Sequence, residues 1–296
     1  MSDLIVSEAG GGFMGIGPAQ YLQMLEAWKG SLSARAVAYA GTSVGAIDMA
    51  LMACGYTARD VYNLHCENGA GIFGKRNWKW RLIKAGPQYD DAYVNKLLQD
   101  KLGTITMDTT AKPLYICVWD CVSRSLKVFG PKDVGVPVWY AVRCSMAAPT
   151  YFAPMPGYVV KDGVFSMVGG GMYLDGGMSA NDPAAVGCAA AVRDGVVKDP
   201  RVLQLVTSGD TPDGGTVDAD WSAITVLRKE VLPALTAGNS ADVDLILDAW
   251  IGQANVFRVS PQSPDYDLDA CEHSMDVARI WTTQFNADKD RLLAWI

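Results

Sequence analysis

The chain is organised around residues 34–54, which read ARAVAYAGTSVGAIDMALMAC. A short apolar run typical of a buried strand leads into Gly41-Thr42-Ser43-Val44-Gly45, and an alanine- and methionine-rich run typical of a helix follows. A serine at such a sharp turn needs small neighbours, because the turn strains its backbone, and Gly41 and Gly45 supply them. The helix N-terminus behind Ser43 favours negative charge. The stretch predicts a nucleophilic serine or, alternatively, a glycine-rich turn whose serine only caps a helix.

The bulk composition excludes several classes of protein. The 296 residues are 50% hydrophobic and 19% charged, which is ordinary for a globular chain. A net charge of −7 argues against a nucleic-acid partner, and no apolar run is long enough for a membrane-spanning helix. The N-terminus has no basic stretch followed by an apolar one, so we expect no signal peptide and a cytoplasmic protein.

Metal and disulfide chemistry are not expected. The seven cysteines are scattered and odd in number, which favours free thiols in a reducing compartment. The only histidines are His65 and His273, and no cluster of ligand-type residues surrounds either one, so we expect no metal site.

Strand-like and helix-like segments alternate along the chain. Besides the strand before the elbow, strands are predicted at residues 4–7, 113–121, 126–129, 172–174, 201–207 and 256–259. Helices are predicted after the elbow and at residues 18–28, 58–66, 92–102, 138–146, 183–193, 221–235, 241–254 and 275–296. This alternation predicts an α/β fold, a three-layer α/β/α sandwich with a mainly parallel central sheet. No composition shift marks a boundary, so we expect a single domain over residues 1–296, with residues 210–296 as its helical C-terminal part.

The glycine loop after the first strand has two interpretations. Gly10, Gly12 and Gly15 fit the G-x-G-x-x-G pattern of a dinucleotide site. Such a site also needs an acidic residue about 20 positions on, and none lies between Glu26 and Asp48. The alternative is an oxyanion hole, in which consecutive glycines let backbone N–H groups point into a site. This use is favoured, and no cofactor is expected.

An elbow serine also needs a base. His273 fits the chain order of an α/β-hydrolase triad, but it lies at the predicted start of the last helix, and His65 lies in a helix with no partner signal. An ordinary surface or partly buried histidine is favoured at both positions. Asp175 is the better candidate, because it ends a short apolar strand and is followed by two glycines. Asp213 is also followed by two glycines, but no strand precedes it, which indicates a turn.

At this point the sequence resembles the patatin-like phospholipase family. Four blocks between about residues 4 and 185 carry the resemblance, and both their order and their spacing fit. The blocks are Gly10–Gly15, Gly41–Gly45, Ala147–Phe152, and Asp175-Gly176-Gly177 followed by Asn181 and Pro183. The resemblance implies a lipid acyl hydrolase with Ser43 as nucleophile, Asp175 as base, no catalytic histidine, and Gly10, Gly11 and Gly12 around the oxyanion hole. Two positions depart from the family pattern, which usually has an aspartate at Ala9 and a basic residue at Met14.

The expected function is therefore cleavage of fatty-acyl esters in phospholipids or related lipids, through an acyl-enzyme on Ser43. Such a protein can be a metabolic lipase or a membrane-attacking effector held inactive until triggered. The alternative is a non-catalytic lipid-binding or storage protein that keeps the fold.

One segment suggests peripheral contact with a membrane. Residues 73–88 contain five basic and no acidic side chains before Gln88, and aromatic residues are interleaved with them. Tryptophan favours the membrane–water boundary, and basic residues are attracted to anionic lipid. We expect a lipid-docking flap that includes Phe73, Lys75, Trp78, Lys79 and Trp80, the alternative being a solvated basic loop whose aromatic residues pack under the domain.

Overall fold

A computed structural model describes residues 2–73, 87–207, 242–264 and 266–296. Its centre is a mixed, mostly parallel sheet in the order β5-β6-β3-β2-β1-β7-β8, with β4 paired to β3. The strands are β1 (Asp3–Glu8), β2 (Ala36–Gly41), β3 (Leu114–Asp120), β4 (Ser125–Phe129), β5 (Met155–Lys161), β6 (Val164–Asp175), β7 (Pro200–Leu205) and β8 (Val256–Val259). Strands β3, β2, β1, β7 and β8 run parallel, and the β5–β6 hairpin and β4 are antiparallel additions at β3.

Helices cover both faces of this sheet. They are α1 (Ile16–Lys29), α2 (Val44–Ala53), α3 (Ala58–Ile72), α4 (Ala92–Leu102), α5 (Val138–Ser145), α6 (Gly177–Ala180), α7 (Ala184–Arg193), α8 (described over 242–250) and α9 (Ser274–Trp295). Short 3₁₀ turns span Gly12–Gly15, Gln253–Asn255 and Cys271–His273.

Two apolar cores show that the sandwich has three layers. Side chains alternate across a strand, so neighbouring residues face opposite layers. Val6 and Tyr39 point into the larger core, which includes buried residues of α1, α2, α3, α5 and α9. Ile5 and Ala38 point into the smaller core, which is built with α7 and α8. The predicted α/β/α sandwich is confirmed.

The described part of the C-terminal region extends the same sheet. Strand β8 pairs in parallel with β7, and α9 packs along α1. The contact is close at Gly17, where a side chain would collide with the fully buried ring of Trp281. The predicted helix at residues 221–235 lies outside the described residues.

Several elements differ from the sequence-based expectation, among them β5, β6 and α3. The predicted strand at residues 172–174 is the end of β6, a 12-residue strand that forms a hairpin with β5, and β5 was not predicted. Most of β6 is exposed or half-buried and contains Gly169–Gly171, so it lacks the apolar alternation that marks a strand. Helix α3 continues six residues beyond its predicted end at Cys66. Burial of the Ile72 side chain stabilises this extension, although Gly69 and Gly71 disfavour a helix.

Candidate active site

Strand register brings distant residues to one height at the carboxyl edge of the sheet. Gly41 of β2 pairs with Ile116 of β3, so Ser43 lies level with Val118, two residues further along. Val118 in turn pairs with Asp175, the last residue of β6. Ser43 and Asp175 therefore meet although 132 positions separate them.

The same reasoning extends to the other side of Ser43. Glu8 of β1 pairs with both Gly41 and Leu205. Two residues beyond this level, Gly10 lies beside Ser43, because a Cβ added to Gly10 would lie 3.1 Å from the Cβ of Ser43. Thr207 lies on the far side of Gly10 and donates its hydroxyl to the carbonyl of Gly10. Parallel sheets bind ligands at this edge.

Ser43 occupies a strained elbow. Its backbone has φ 55° and ψ −120°, in the positive-φ region that non-glycine residues rarely adopt and that costs about 1–3 kcal/mol. A side chain at Gly41 would collide with the carbonyl of Gly45, and one at Gly45 would collide with the carbonyl of Glu8. Both flanking glycines are thus required by close backbone approach, as the sequence predicted. Helix α2 begins immediately after Ser43.

Ser43 and Asp175 are joined by a direct hydrogen bond. The Ser43 hydroxyl donates to Oδ2 of Asp175 at 2.8 Å, and the N–H of Gly177 donates to Oδ1 at 2.7 Å. Burial raises the pKa of Asp175 from 3.8 to about 6, against the lowering effects of the Gly177 N–H, the Ser43 hydroxyl and the charge of Arg143. At neutral pH this carboxyl is ionised, and its raised pKa makes it a better proton acceptor than an exposed aspartate.

The glycine loop offers backbone donors beside the elbow. Among the described residues, no hydrogen bond engages the N–H of Gly11 or of Gly12. Gly10 departs from the expectation, because its own N–H donates to the carbonyl of Asn181 at 3.0 Å and cannot serve an oxyanion. The carbonyl of Gly10 accepts a hydrogen bond from the hydroxyl of Thr207. Gly10 therefore shapes the loop, and Gly11 and Gly12 have the free donors.

The two departures from the family pattern are both buried. Ala9 is fully buried, and its N–H donates to the carbonyl of Leu205 at 2.9 Å. Met14 is 6% exposed and belongs to the larger core. Neither side chain brings charge to the glycine loop.

Neither histidine is hydrogen-bonded to Ser43 in the described part of the chain. His65 Nε2 contacts both carboxylate oxygens of Asp48, at 2.8 and 3.0 Å. His273 stacks on Tyr266 with ring centroids 4.4 Å apart, and its Nδ1 lies 3.6 Å from Asp276. The geometry thus offers Asp175, and no histidine, as the base for Ser43.

The pair formed by Asp48 and His65 belongs to a second buried cluster, behind the elbow. Glu8 and Asp48 are both fully buried. Neither carboxyl oxygen of Glu8 has a donor facing it among the described residues, so its hydrogen bond to Asp48 is one that it donates. Burial and the charge of Asp48 raise the pKa of Glu8 well above its usual value.

Ser145 is a site residue that sequence reasoning missed. It is fully buried at the end of α5, and its Oγ accepts the N–H of Ser43 at 2.8 Å. Its only sequence signal is that it precedes the block Ala147–Phe152 by two positions. A lone serine in a helical pattern gives no further indication of this contact.

The proposed docking segment lies mostly outside the described residues, which applies to Lys75, Trp78, Lys79 and Trp80, and also to Asp213. Phe73 is described: its ring is half-buried and packs against Tyr89 and Phe152, with centroids 5.8 and 6.1 Å apart. For Phe73, this packing matches the structural alternative.

None of the described helices is long and apolar enough to span a bilayer.

The seven cysteines are all unpaired; Cys117, Cys144 and Cys188 are buried, and Cys66 is exposed. In the part of the chain that the structure describes, no group of three or more His, Cys, Asp or Glu side chains is arranged to hold a metal ion.

The chain is similar to several known proteins. Patatin-like protein 2 of rice, Oryza sativa subsp. indica, is 29% identical over 210 residues, which cover 60% of this chain and 50% of the rice protein. The chain thus spans about half the length of this relative. An Escherichia coli protein named cUMP-AMP-activated phospholipase is 24% identical over 282 residues, 90% of this chain and 84% of that protein.

A solved structure is similar over most of the chain. VipD from Legionella pneumophila aligns with 97% of this chain and 67% of its own, at 12% identity and a TM-score of 0.46. The family model described as Patatin-like phospholipase matches residues 7–186, which include the glycine loop, the elbow and Asp175. The chain belongs to the patatin-like phospholipase family.

Proposed function

We propose that the chain is a lipid acyl hydrolase of the phospholipase A or lysophospholipase type, with Ser43 as nucleophile and Asp175 as general base. The observation that carries this proposal is the 2.8 Å hydrogen bond from the Ser43 hydroxyl to the buried Asp175 carboxylate. It occurs at a strained elbow, beside a loop in which two backbone N–H groups have no hydrogen-bond partner among the described residues. Family membership supports lipid esters as the substrate class.

The proposed first half-reaction forms an acyl-enzyme. Ser43 Oγ attacks the ester carbonyl carbon, and its proton passes to Oδ2 of Asp175. The carbonyl oxygen becomes an oxyanion, which the N–H groups of Gly11 and Gly12 stabilise, each donor contributing about 3 kcal/mol. When the carbon–oxygen bond of the ester breaks, the departing alkoxide takes the proton from Asp175 and leaves as an alcohol.

The second half-reaction releases the acyl chain. Water attacks the carbonyl carbon of acyl-Ser43 and gives its proton to Asp175. As the bond to Ser43 breaks, Asp175 returns that proton to Ser43 Oγ, and a fatty acid leaves. A carboxyl with a pKa of about 6 suits both directions of transfer, because it is mostly ionised at neutral pH yet accepts a proton at small cost.

Two experiments test the proposal. A fluorophosphonate probe should label the protein once, at Ser43, and Ser43→Ala should not be labelled. Incubation with mixed phospholipid vesicles, followed by mass spectrometry, should yield free fatty acids and lysolipids with the wild type only. Labelling at another residue, or equal product from Ser43→Ala, would exclude this mechanism.

The assay needs an arm that separates a silent enzyme from the alternative, a non-catalytic lipid-binding or storage protein. The E. coli relative is named for activation by cUMP-AMP, so the incubation is repeated with that nucleotide. Product in either condition supports the hydrolase. Lipid binding without labelling and without product in both conditions favours the storage alternative.

Peripheral membrane contact is part of the proposal, on sequence grounds alone. Changing Trp78 and Trp80 to Ala, and Lys75 and Lys79 to Gln, should weaken binding to anionic vesicles and slow hydrolysis of vesicle lipid. Cleavage of a small soluble ester should be unchanged. Equal losses on both substrates would instead assign these residues to core structure.

A further inference from the structure

The Ser145 hydroxyl connects the nucleophile's backbone to the neighbouring strand. Its Oγ accepts the N–H of Ser43 at 2.8 Å and donates its own proton to the carbonyl of Cys117, in β3, at 2.6 Å. Ser145 is fully buried. Because one hydroxyl proton is committed to Cys117, a lone pair is left to face Ser43, and the orientation of this group is fixed.

The residues that follow α5 also contact Asp175, the partner of Ser43. The N–H of Asp175 donates to the carbonyl of Ala147 at 3.1 Å. Residues 145–147 therefore contact Ser43 and Asp175 independently, one through a side chain and the other through the backbone.

This end of α5 is itself anchored by a buried cation. The guanidinium of Arg143 is fully buried and forms an ion pair with Asp91 at 2.8 Å. It also donates to the side chain of Asn95 and to the carbonyl of Ala153, both at 3.1 Å. These contacts tie α5 to α4 and to the loop that follows α5, so Ser145 has little freedom to move away from Ser43.

We infer that Ser145 is a positioning residue for the reaction proposed above, on which this inference rests. Ser43 keeps its unfavourable positive φ only while its surroundings hold it there. The bond from its N–H to Ser145 fixes the peptide plane at the elbow and so directs Ser43 Oγ at Asp175. Ser145 touches neither the substrate nor the reacting atoms.

Ser145→Ala tests the inference. It should lower kcat about 10- to 100-fold with KM within about twofold, and it should slow fluorophosphonate labelling of Ser43 by the same factor. Because the Ser43 hydroxyl lowers the pKa of Asp175, a misdirected hydroxyl should also shift the acid limb of the rate profile to higher pH. A loss of packing alone would not move that limb.

Ser7→Ala is the matched control. Ser7 is also a fully buried serine, and its hydroxyl has no hydrogen-bond partner among the described residues. It should keep wild-type kcat and the wild-type acid limb. If Ser145→Ala does not fold, Ser145→Cys takes its place, since a thiol of similar size accepts hydrogen bonds weakly; its labelling rate should still fall measurably below that of the wild type.

The outcomes separate the two proposals. Absence of wild-type labelling at Ser43, both with and without cUMP-AMP, overturns the proposed function and this inference with it. If the wild type is labelled and Ser145→Ala, or Ser145→Cys in its place, shows the same labelling rate and the same pH profile, only the positioning role is overturned.

Discussion

One buried carboxyl site lies at the N-terminal end of α2 and a second lies within the helix. The two sites differ in the groups that surround the carboxyl. At the N-terminal end, Asp175 accepts hydrogen bonds from the Ser43 hydroxyl and the Gly177 N–H. Within the helix, Asp48 accepts from His65 and from Glu8, a second carboxyl. Burial raises the pKa of all three acids.

The comparison of Asp175 with Glu8 shows that burial alone does not give a carboxyl group the properties of a general base. Donors around Asp175 stabilise its charged form, so its pKa rises only to about 6 and it is ionised at neutral pH. Glu8 is buried and faces the carboxylate of Asp48, and both effects raise its pKa. Exposure separates them too, because Ser43 is half-buried at the sheet edge whereas Glu8 and Asp48 are inaccessible. We expect the first site to act on substrate and the second to hold β1, α2 and α3 together.

The largest expected effect comes from the same acid-to-amide change made at each site. Asp175→Asn should lower kcat/KM for an ester about a thousandfold, because an amide cannot accept the serine proton. The kcat/KM of Glu8→Gln should stay within about threefold of wild type, since the side-chain amide of glutamine can donate to Asp48 in place of the Glu8 carboxyl. Steady-state kinetics on a soluble ester measures both. A thousandfold loss in His273→Ala, with Asp175→Asn active, would instead indicate a histidine triad.

The pH dependence of activity is the next largest effect. The base must be ionised, so kcat/KM should be half-maximal near pH 6, the pKa of Asp175, and fall about tenfold for each pH unit below it. Rates measured between pH 4.5 and 8, on protein checked for folding at each pH, test this limb. A limb near pH 4 would mean that Asp175 titrates as an exposed aspartate and is not the buried base.

Stability should fall with rising pH at both sites, but over different pH ranges. In the wild type, folded Asp175 keeps its proton until about pH 6 whereas the unfolded chain releases it near 3.8. The folded state binds more protons in this window, so stability is lost as pH rises through it and levels off above pH 6. Asp175→Asn removes this loss and should gain about 3 kcal/mol in free energy of unfolding relative to wild type between pH 4 and 7.

The stability gain of Glu8→Gln should level off at a higher pH than that of Asp175→Asn. Burial and the charge of Asp48 both raise the pKa of Glu8, whereas donors limit the rise at Asp175, so the wild type loses stability over a longer pH range at Glu8. Urea unfolding at half-unit pH steps measures the pH at which each gain levels off. A plateau near pH 6 in both variants would show that the two sites have equivalent environments.

The smallest expected effect concerns Gly45, which lies between the two sites. Gly45→Ala should lower the free energy of unfolding by about 2 kcal/mol, because its Cβ would collide with the carbonyl of Glu8 and push α2 from β1. Gly69→Ala, in α3 with nothing near its added Cβ, is the control and should gain about 0.5–1 kcal/mol from helix propensity. Equal effects at both positions would show that the approach at Gly45 is not tight.

Local sequence predicted much of the fold because local sterics decide it. The bounds of α4 and β8 match the prediction, and the elbow strand and helix appear where Gly41 and Gly45 require a sharp turn. These features depend on residues within a few positions of one another. The β5–β6 hairpin was missed because its exposed, glycine-containing strand is defined by its pairing and not by an apolar pattern.

By itself, the sequence determined the α/β class, the strained serine, the glycine loop and a short list of candidate bases. Only the tertiary structure decided which of these meet. Register across β2, β3 and β6 brings Asp175, and neither histidine, to Ser43, and the Asn181 carbonyl occupies the N–H of Gly10. The tertiary structure also determines the charge of each buried carboxyl, because the pKa of a carboxyl depends on burial and on donors that come from distant parts of the chain.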